Sequence, residues 1–186
     1  MSDLKLAIAG LGAIGMRAAQ AVDRGEVSGI QLVAVSANDK EAAARKVSRF
    51  KKVPDILPIE QLPNVAEIIV ECTPAAVFES LARPAIDLGR HLLPLSVGVL
   101  LRHPDLIERA RKTGAKITVP TGALIGLDTV RAMAVGEIHE VTLKTTKHPR
   151  GLVGAPHLID NNIDVMVLKE PKLVLKGTAR EAAQGF

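Results

Sequence analysis

The segment "LAIAGLGAIGMRAAQAV", Leu6 to Val22, decides the reading of the chain. An apolar run closes at Ala9, glycines follow at Gly10, Gly12 and Gly15, and an alanine-rich helical pattern continues to Arg24. A G-x-G-x-x-G spacing between a strand and a helix is the fingerprint of a dinucleotide-binding turn. In that reading Gly10 permits the tight turn, Gly12 lets the backbone approach a pyrophosphate, and Gly15 lets the helix sit close to the strand. The phosphates then lie over the free N–H groups of the first helical turn, where Ala13 and Ile14 stand, with Arg17 within reach. The competing reading is a tight turn that binds nothing.

Outward from this segment, strands and helices alternate. Strands are expected at Leu4–Ala9, Gln31–Ser36, Glu67–Glu71, His91–Ser96 and Ala115–Val119, with a short one in "VPDILPIEQLP". Helices are expected at Ala13–Arg24, Asp39–Phe50, Ala75–Leu88 and Pro104–Thr113, the last two closed by Gly89 and Gly114. Asp39 or Asn38 suits the cap of the second helix. Strands separated by helical segments indicate βαβ units and a parallel sheet. The pattern changes near Pro120. After a short helix around Ile125–Ala134, "EIHEVTLKTTKHP" alternates, with Val141, Leu143 and Thr145 on one face, which predicts a half-exposed strand. "KLVLKGTA" is expected to be its neighbour, followed by a helix capped by Thr178. The fold class is therefore α/β: an N-terminal Rossmann dinucleotide-binding domain over residues 1–120, and a second α/β domain over 121–186 on an open, partly incomplete sheet.

Composition narrows the function. The 186 residues hold three Phe and no Trp or Tyr, so the core is aliphatic, as in a buried parallel sheet. Base-stacking nucleic-acid modules need aromatic platforms and are excluded. Lys and Arg number 24 against 20 acids, a net charge of +4, but the charges are interspersed. This favours anionic small molecules and no nucleic acid. Cys72 is the single cysteine, so an intrachain disulfide is ruled out and no metal centre is expected. The N-terminus does not read as a signal peptide, and no apolar run has the length of a membrane span. The cytoplasm is the expected compartment.

The end of the second strand tests which dinucleotide fits. NAD sites place an acid there to hold the ribose 2′-OH. In "VSANDKE" the positions are Ser36, Ala37 and Asn38, and Asp39 comes late. Small polar residues with Lys40 beside them tolerate a 2′-phosphate, so NADP is expected to bind at least as well as NAD. "ECTPA" follows a strand, which puts Cys72, Thr73 and Pro74 at the carboxyl edge of the sheet. Ser96, Val97 and Gly98 follow the next strand at the same edge, where ligands bind in open α/β folds. Cys72 has no neighbouring His and reads as core rather than nucleophile. Gly122 and Ala123, in "TGALIG" at the domain junction, are small enough for a nicotinamide ring to lie against them.

"GLGAIG", "ECTPAAVFESLARPAIDLGRHLLPLSVGVL", "VPTGALIGLDTVRA" and "VTLKTTKHPRGL" occur in the order and at the spacing of the L-aspartate dehydrogenase family, which this chain resembles over essentially its whole length. The resemblance implies a Rossmann domain followed by an α/β domain that pairs in a homodimer. It also implies oxidation of L-aspartate by NAD or NADP to iminoaspartate, which hydrolyses to oxaloacetate and ammonia or enters NAD biosynthesis. The loops at Cys72–Pro74 and Ser96–Gly98 then flank the cofactor's ribose and nicotinamide, and Ala123 matches a cofactor-contacting position.

A dicarboxylate substrate needs cations, and Lys147, His148 and Arg150 cluster just past the alternating segment. The family's catalytic histidine belongs to an "N-x-H-E"-like stretch that would lie beyond Phe186. The catalytic acid/base is therefore unassigned, and neither His148 nor His157 stands in a matching motif. On this reading the sequence is a fragment, and the 186 residues alone are expected to be inactive. The alternatives are another two-domain NAD(P) oxidoreductase, similar to dihydrodipicolinate reductase or homoserine dehydrogenase, and a non-catalytic dinucleotide-binding module.

Overall fold

Alternate residues of β1 (Leu4–Ala9) point to opposite faces of a sheet, Leu6 and Ile8 to one and Ala7 and Ala9 to the other, and all of them are buried. A strand buried on both faces lies inside a sheet covered by helices. The computed structural model, which describes residues 3–121 and 126–186, places β1 at that position. Two compact units divide the chain, Met1–Gly122 and Ala123–Phe186.

In the first unit β1 is joined by β2 (Ile30–Ser36), β3 (Asp55–Ile56), β4 (Ile68–Glu71), β5 (His91–Pro94) and β6 (Lys116–Ile117). All pairings are parallel, in the order β3-β2-β1-β4-β5-β6. The chain direction across the sheet reverses between β1 and β4, and the carboxyl ends of these strands form the crevice where open α/β sheets bind ligands.

Helices α1 (Ala13–Arg24) and α2 (Lys40–Val47) cover one face, burying Ala19, Ala43 and Val47 against Leu6, Ile8, Leu32 and Val35. The other face carries α3 (Leu62–Val65), α4 (Phe78–Asp87), α5 (Val97–Leu100) and α6 (Pro104–Thr113), burying Leu62, Phe78, Leu81, Ile86 and Leu106 against Ala7, Ala9, Ile69 and Leu92. The alanines of β1 leave room for Phe78, the one phenylalanine with no exposure. These are the two faces of a doubly wound fold.

Element boundaries moved where local chemistry intervened. The helix expected from Asp39 does cap on Asp39, whose carboxylate accepts from the Ala42 N–H at 2.8 Å. It ends at Val47, before the expected Phe50, and the Ser48 hydroxyl bonds back to the Arg45 carbonyl at 3.0 Å. The stretch expected as one helix from Ala75 begins as a 3-10 turn over Ala75–Val77 and becomes α-helical at Phe78. β5 stops at Pro94, which frees Ser96 to stand before α5.

The second unit departs further. Among its described residues, 126–186, there are the helices α7 (Leu127–Met133), α8 (Pro156–Asp160) and α9 (Ala179–Gly185), a 3-10 turn at Pro149–Gly151, and no strand. The strands expected in 137–149 and 172–179, and hence the second sheet, are not formed. Alternation specifies a face, but a strand exists only when a neighbour takes its N–H and C=O groups. The two segments do not pair, and the Val174 carbonyl instead accepts from His157 Nε2 at 2.9 Å. Val141 and Leu143, predicted to be half of a covered face, are 59% and 68% exposed. The expected cap of the last helix is present: Thr178 and Glu181 form a reciprocal capping box.

Candidate functional site

The glycine loop is built by close approach. Gly10 has φ +92°, and a Cβ there would lie 2.4 Å from the Cys72 carbonyl oxygen. A Cβ at Gly15 would lie 1.9 Å from the Gly10 carbonyl oxygen, so α1 begins directly against the end of β1. Gly12 differs: its φ is −75°, and a Cβ would meet no atom within 4 Å. Two of the glycines are thus demanded by the fold, while the third faces open space, as a surface meant to receive another molecule requires.

That open space lies over the N-terminus of α1. No side chain caps the helix and no acid stands in its first turn, so the leading N–H groups at Ala13, Ile14 and Gly15 are unclaimed by their own helix. Lys46 on α2 donates from Nζ to the Leu11 carbonyl at 3.0 Å, which brings a cation to the loop. Arg17 is exposed on the next turn. Free backbone donors, the positive end of a helix and a nearby cation fit a pyrophosphate.

On one side of the loop, the Gly10 N–H donates to the Ser36 carbonyl at 2.8 Å, fixing the end of β2. Ser36 is buried and Asn38 and Lys40 are exposed. Asp39 uses one carboxylate oxygen in capping α2. On the other side, Cys72 and Thr73 pack against the glycine loop, with Thr73 Cγ2 3.3 Å from the position a Gly10 Cβ would take. Burial raises the Cys72 thiol to about 11, and the neighbouring Glu71 carboxylate adds to the shift. A thiol so protonated at neutral pH is no nucleophile.

Glu71 was missed in the sequence reading, and it is the most connected polar side chain of this edge. It ends β4 and is fully buried. Its Oε1 accepts from the Thr73 N–H at 2.7 Å, the Thr73 hydroxyl at 2.6 Å and the Ser96 hydroxyl at 3.1 Å. Its Oε2 accepts from the N–H groups of Leu95 at 3.1 Å and Ser96 at 2.9 Å. The signal was an acid at the end of the apolar run "EIIVE", where a buried strand has no reason to carry one unless donors await it.

Gly10, Gly12, Ala13, Ile14, Gly15, Ser36, Asn38, Cys72, Thr73, Pro74, Ser96 and Gly98 therefore all stand at the carboxyl ends of the strands of one sheet or in the loops and first helical turns that follow them. Gly122 and Ala123 lie outside the described residues. Lys147, His148 and Arg150 belong to the second unit and are exposed around the turn at Pro149–Gly151, where His148 Nδ1 accepts from the Arg150 N–H at 3.2 Å. His157 donates from Nε2 to the Val174 carbonyl and stacks on the Phe186 ring at 5.6 Å, a bracing position between α8 and α9. Among the described residues no group of three or more His, Cys, Asp or Glu could hold a metal ion, and no helix is long and apolar enough to cross a membrane.

Comparison with known proteins adds family to geometry. Residues 10–120 match the family described as homoserine dehydrogenase, NAD binding domain, and residues 128–186 match aspartate dehydrogenase, C-terminal. An L-aspartate dehydrogenase of Bradyrhizobium diazoefficiens is 46% identical over 185 residues, covering 100% of this chain and 65% of that protein. L-aspartate dehydrogenase 3 of Bordetella bronchiseptica is 44% identical, covering 99% of this chain and 68% of its own length. The chain thus spans about two thirds of the curated relatives it matches. Among solved structures, the WlbA dehydrogenase from Bordetella pertussis in complex with NADH and UDP-GlcNAcA gives a TM-score of 0.57 at 15% identity over 72% of this chain and 42% of that one. Biliverdin reductase from Synechocystis in complex with biliverdin and NADP+ gives 0.56 at 22% identity over 74% and 44%. At these identities the structural matches show the fold.

Proposed function

Because the chain belongs to the L-aspartate dehydrogenase family, with a nicotinamide-dinucleotide-binding domain at its N-terminus, we propose that it carries the cofactor site of an enzyme oxidising L-aspartate with NAD or NADP. The reaction moves a hydride from the substrate Cα to the nicotinamide and releases a proton, giving iminoaspartate, which water converts to oxaloacetate and ammonia. The observation that carries the reading is the glycine loop, where Gly10 and Gly15 are required by packing and Gly12 faces open space above uncapped N–H groups.

In this reading the loop and the first turn of α1 hold the pyrophosphate, with Lys46 and Arg17 as nearby cations. Ser36 and Asn38 receive the adenosine ribose. Cys72, Thr73, Pro74, Ser96 and Gly98 border the nicotinamide half. Capping of α2 by Asp39 supports acceptance of a 2′-phosphate, because the acid that would oppose it is engaged elsewhere and Lys40 stands beside it. Lys147, His148 and Arg150 are the proposed substrate cations. A homodimer through the second unit is part of the proposal, supported by exposed Val141, Leu143 and Leu173. So is a cytoplasmic location, which suits the unpaired thiol of Cys72.

The test is titration of the chain with NADH and NADPH, together with aspartate-dependent reduction of NAD or NADP by the protein that carries it. Binding of both dinucleotides, with NADPH at least as tight, is expected. No binding of either overturns the reading, and a clear preference for NADH overturns its 2′-phosphate part.

A further inference from the structure

We propose that Glu71 is a positioning residue: it clamps the loops after β4 and β5 at one fixed spacing, so that the nicotinamide half of the dinucleotide meets a preformed rim. The proposal rests on the dinucleotide reading above.

The argument begins with capacity. A carboxylate offers about four lone-pair sites and no donor. Glu71 is fully buried and has five donors within reach, all of them uncharged, the Ser96 hydroxyl proton having the Thr73 carbonyl as its other acceptor. Three of the five come from main-chain N–H groups, those of Thr73, Leu95 and Ser96. The donors divide between two loops that are 22 to 23 residues apart in sequence. Thr73 follows β4, and Leu95 and Ser96 follow β5. The Ser96 hydroxyl closes the arrangement, since it can donate to Glu71 Oε1 at 3.1 Å or to the Thr73 carbonyl at 3.0 Å. The Leu95 N–H also donates to the Glu71 main-chain carbonyl at 3.0 Å, so what the side chain adds is its hold on the N–H groups of Thr73 and Ser96, one in each loop.

The place of the clamp gives it its role. The fingerprint loop follows β1 and the adenosine ribose site follows β2, so a dinucleotide crossing the switch point must lay its other half over the ends of β4 and β5. Those ends are what Glu71 holds. Among the described residues the Glu71 side chain makes no hydrogen bond to β2, whose end is held by the Gly10 N–H to Ser36 carbonyl bond. The Glu71 donors thus belong to the β4 and β5 loops, and of these residues Thr73 also packs against the glycine loop.

Glu71→Gln tests this directly. A glutamine has one acceptor oxygen, so its NH2 must face either the Leu95 and Ser96 N–H groups or the Thr73 donors, and the N–H of Ser96 or of Thr73 loses its side-chain acceptor. Isothermal titration of the chain with NADPH, NADH and ADP reads the result, ADP serving as the probe of the glycine loop alone. The expected outcome is a loss of about tenfold for both dinucleotides, about 1.4 kcal/mol, with ADP affinity held within about twofold. Equal weakening of all three ligands, or no weakening of any, overturns the positioning role while leaving the dinucleotide site standing. Failure of the wild-type chain to bind any of the three overturns the dinucleotide site, and the positioning role with it. If Glu71→Gln does not fold, amide hydrogen exchange on the wild-type chain decides. Thr73 and Ser96 amides protected alike with and without NADPH are expected, and amides protected only when NADPH is present overturn the proposal.

Discussion

At the scale of single residues, the glycines of the fingerprint separate into those the fold needs and the one a ligand needs. Gly12→Val places a side chain in open space at a φ that any residue adopts, so stability should hold while the anion cradle is blocked. NADPH affinity is expected to fall at least about tenfold with the melting temperature unchanged, read by titration and thermal unfolding. Gly15→Ala has the opposite signature, because its methyl group collides with the main chain and the whole unit loses stability, by about 2 kcal/mol or more. Cys72 offers a pH test. Its folded-state value of about 11 lies above the ordinary 9.0, so the folded state holds the proton longer than the unfolded one. The resulting stability is complete below pH 9 and is lost as pH rises through about 11. Thiol modification by a small alkylating agent should accordingly be slow at pH 8 and accelerate only toward pH 11, faster in denaturant throughout. Glu71 was overlooked at this scale because its role is invisible until the strands bring Thr73 and Ser96 to the same edge.

Among the elements, those of the first unit were legible because each carries its own signal. Buried parallel strands are aliphatic runs, and "QLVAVS" and "EIIVE" became β2 and β4 nearly as read. Helix ends announced themselves through Asp39, Thr178 and the glycines at positive φ, Gly89 and Gly114. Asp39→Ala removes the bond to the Ala42 N–H and should cost about 1 kcal/mol in thermal or denaturant unfolding. If Asp39 serves α2 and not the ribose, its loss should leave the ratio of NADPH to NADH affinity unchanged in the same samples. The second unit was less legible for a physical reason. The alternation of "EIHEVTLKTTKHP" is real, but a ladder needs a partner, which no local pattern specifies. Val141 and Leu143 accordingly remain exposed in a segment with no regular structure.

For the whole molecule, both hydrophobic clusters of the sheet draw their buried residues from the first unit. A fragment of residues 1–122 should therefore fold cooperatively and bind NADPH within about threefold of the full chain, measured by denaturant unfolding and titration. Loss of binding in a folded fragment would assign part of the cofactor site to the second unit. The parallel sheet followed from the alternation of strands and helices in the sequence, whereas its strand order and switch point came only with the structure.

The clamp at Glu71 also bears on how such a protein can be rebuilt. Its two loops form a single heritable part: a chimera that grafts the β5 loop of another enzyme without the matching acid leaves the N–H at the Ser96 position without its acceptor. The β2 end is held to the glycine loop by a main-chain bond that any side chain permits. Lineages can therefore exchange Ser36, Asn38 or Lys40 one substitution at a time, while the opposite rim is inherited or replaced as a block.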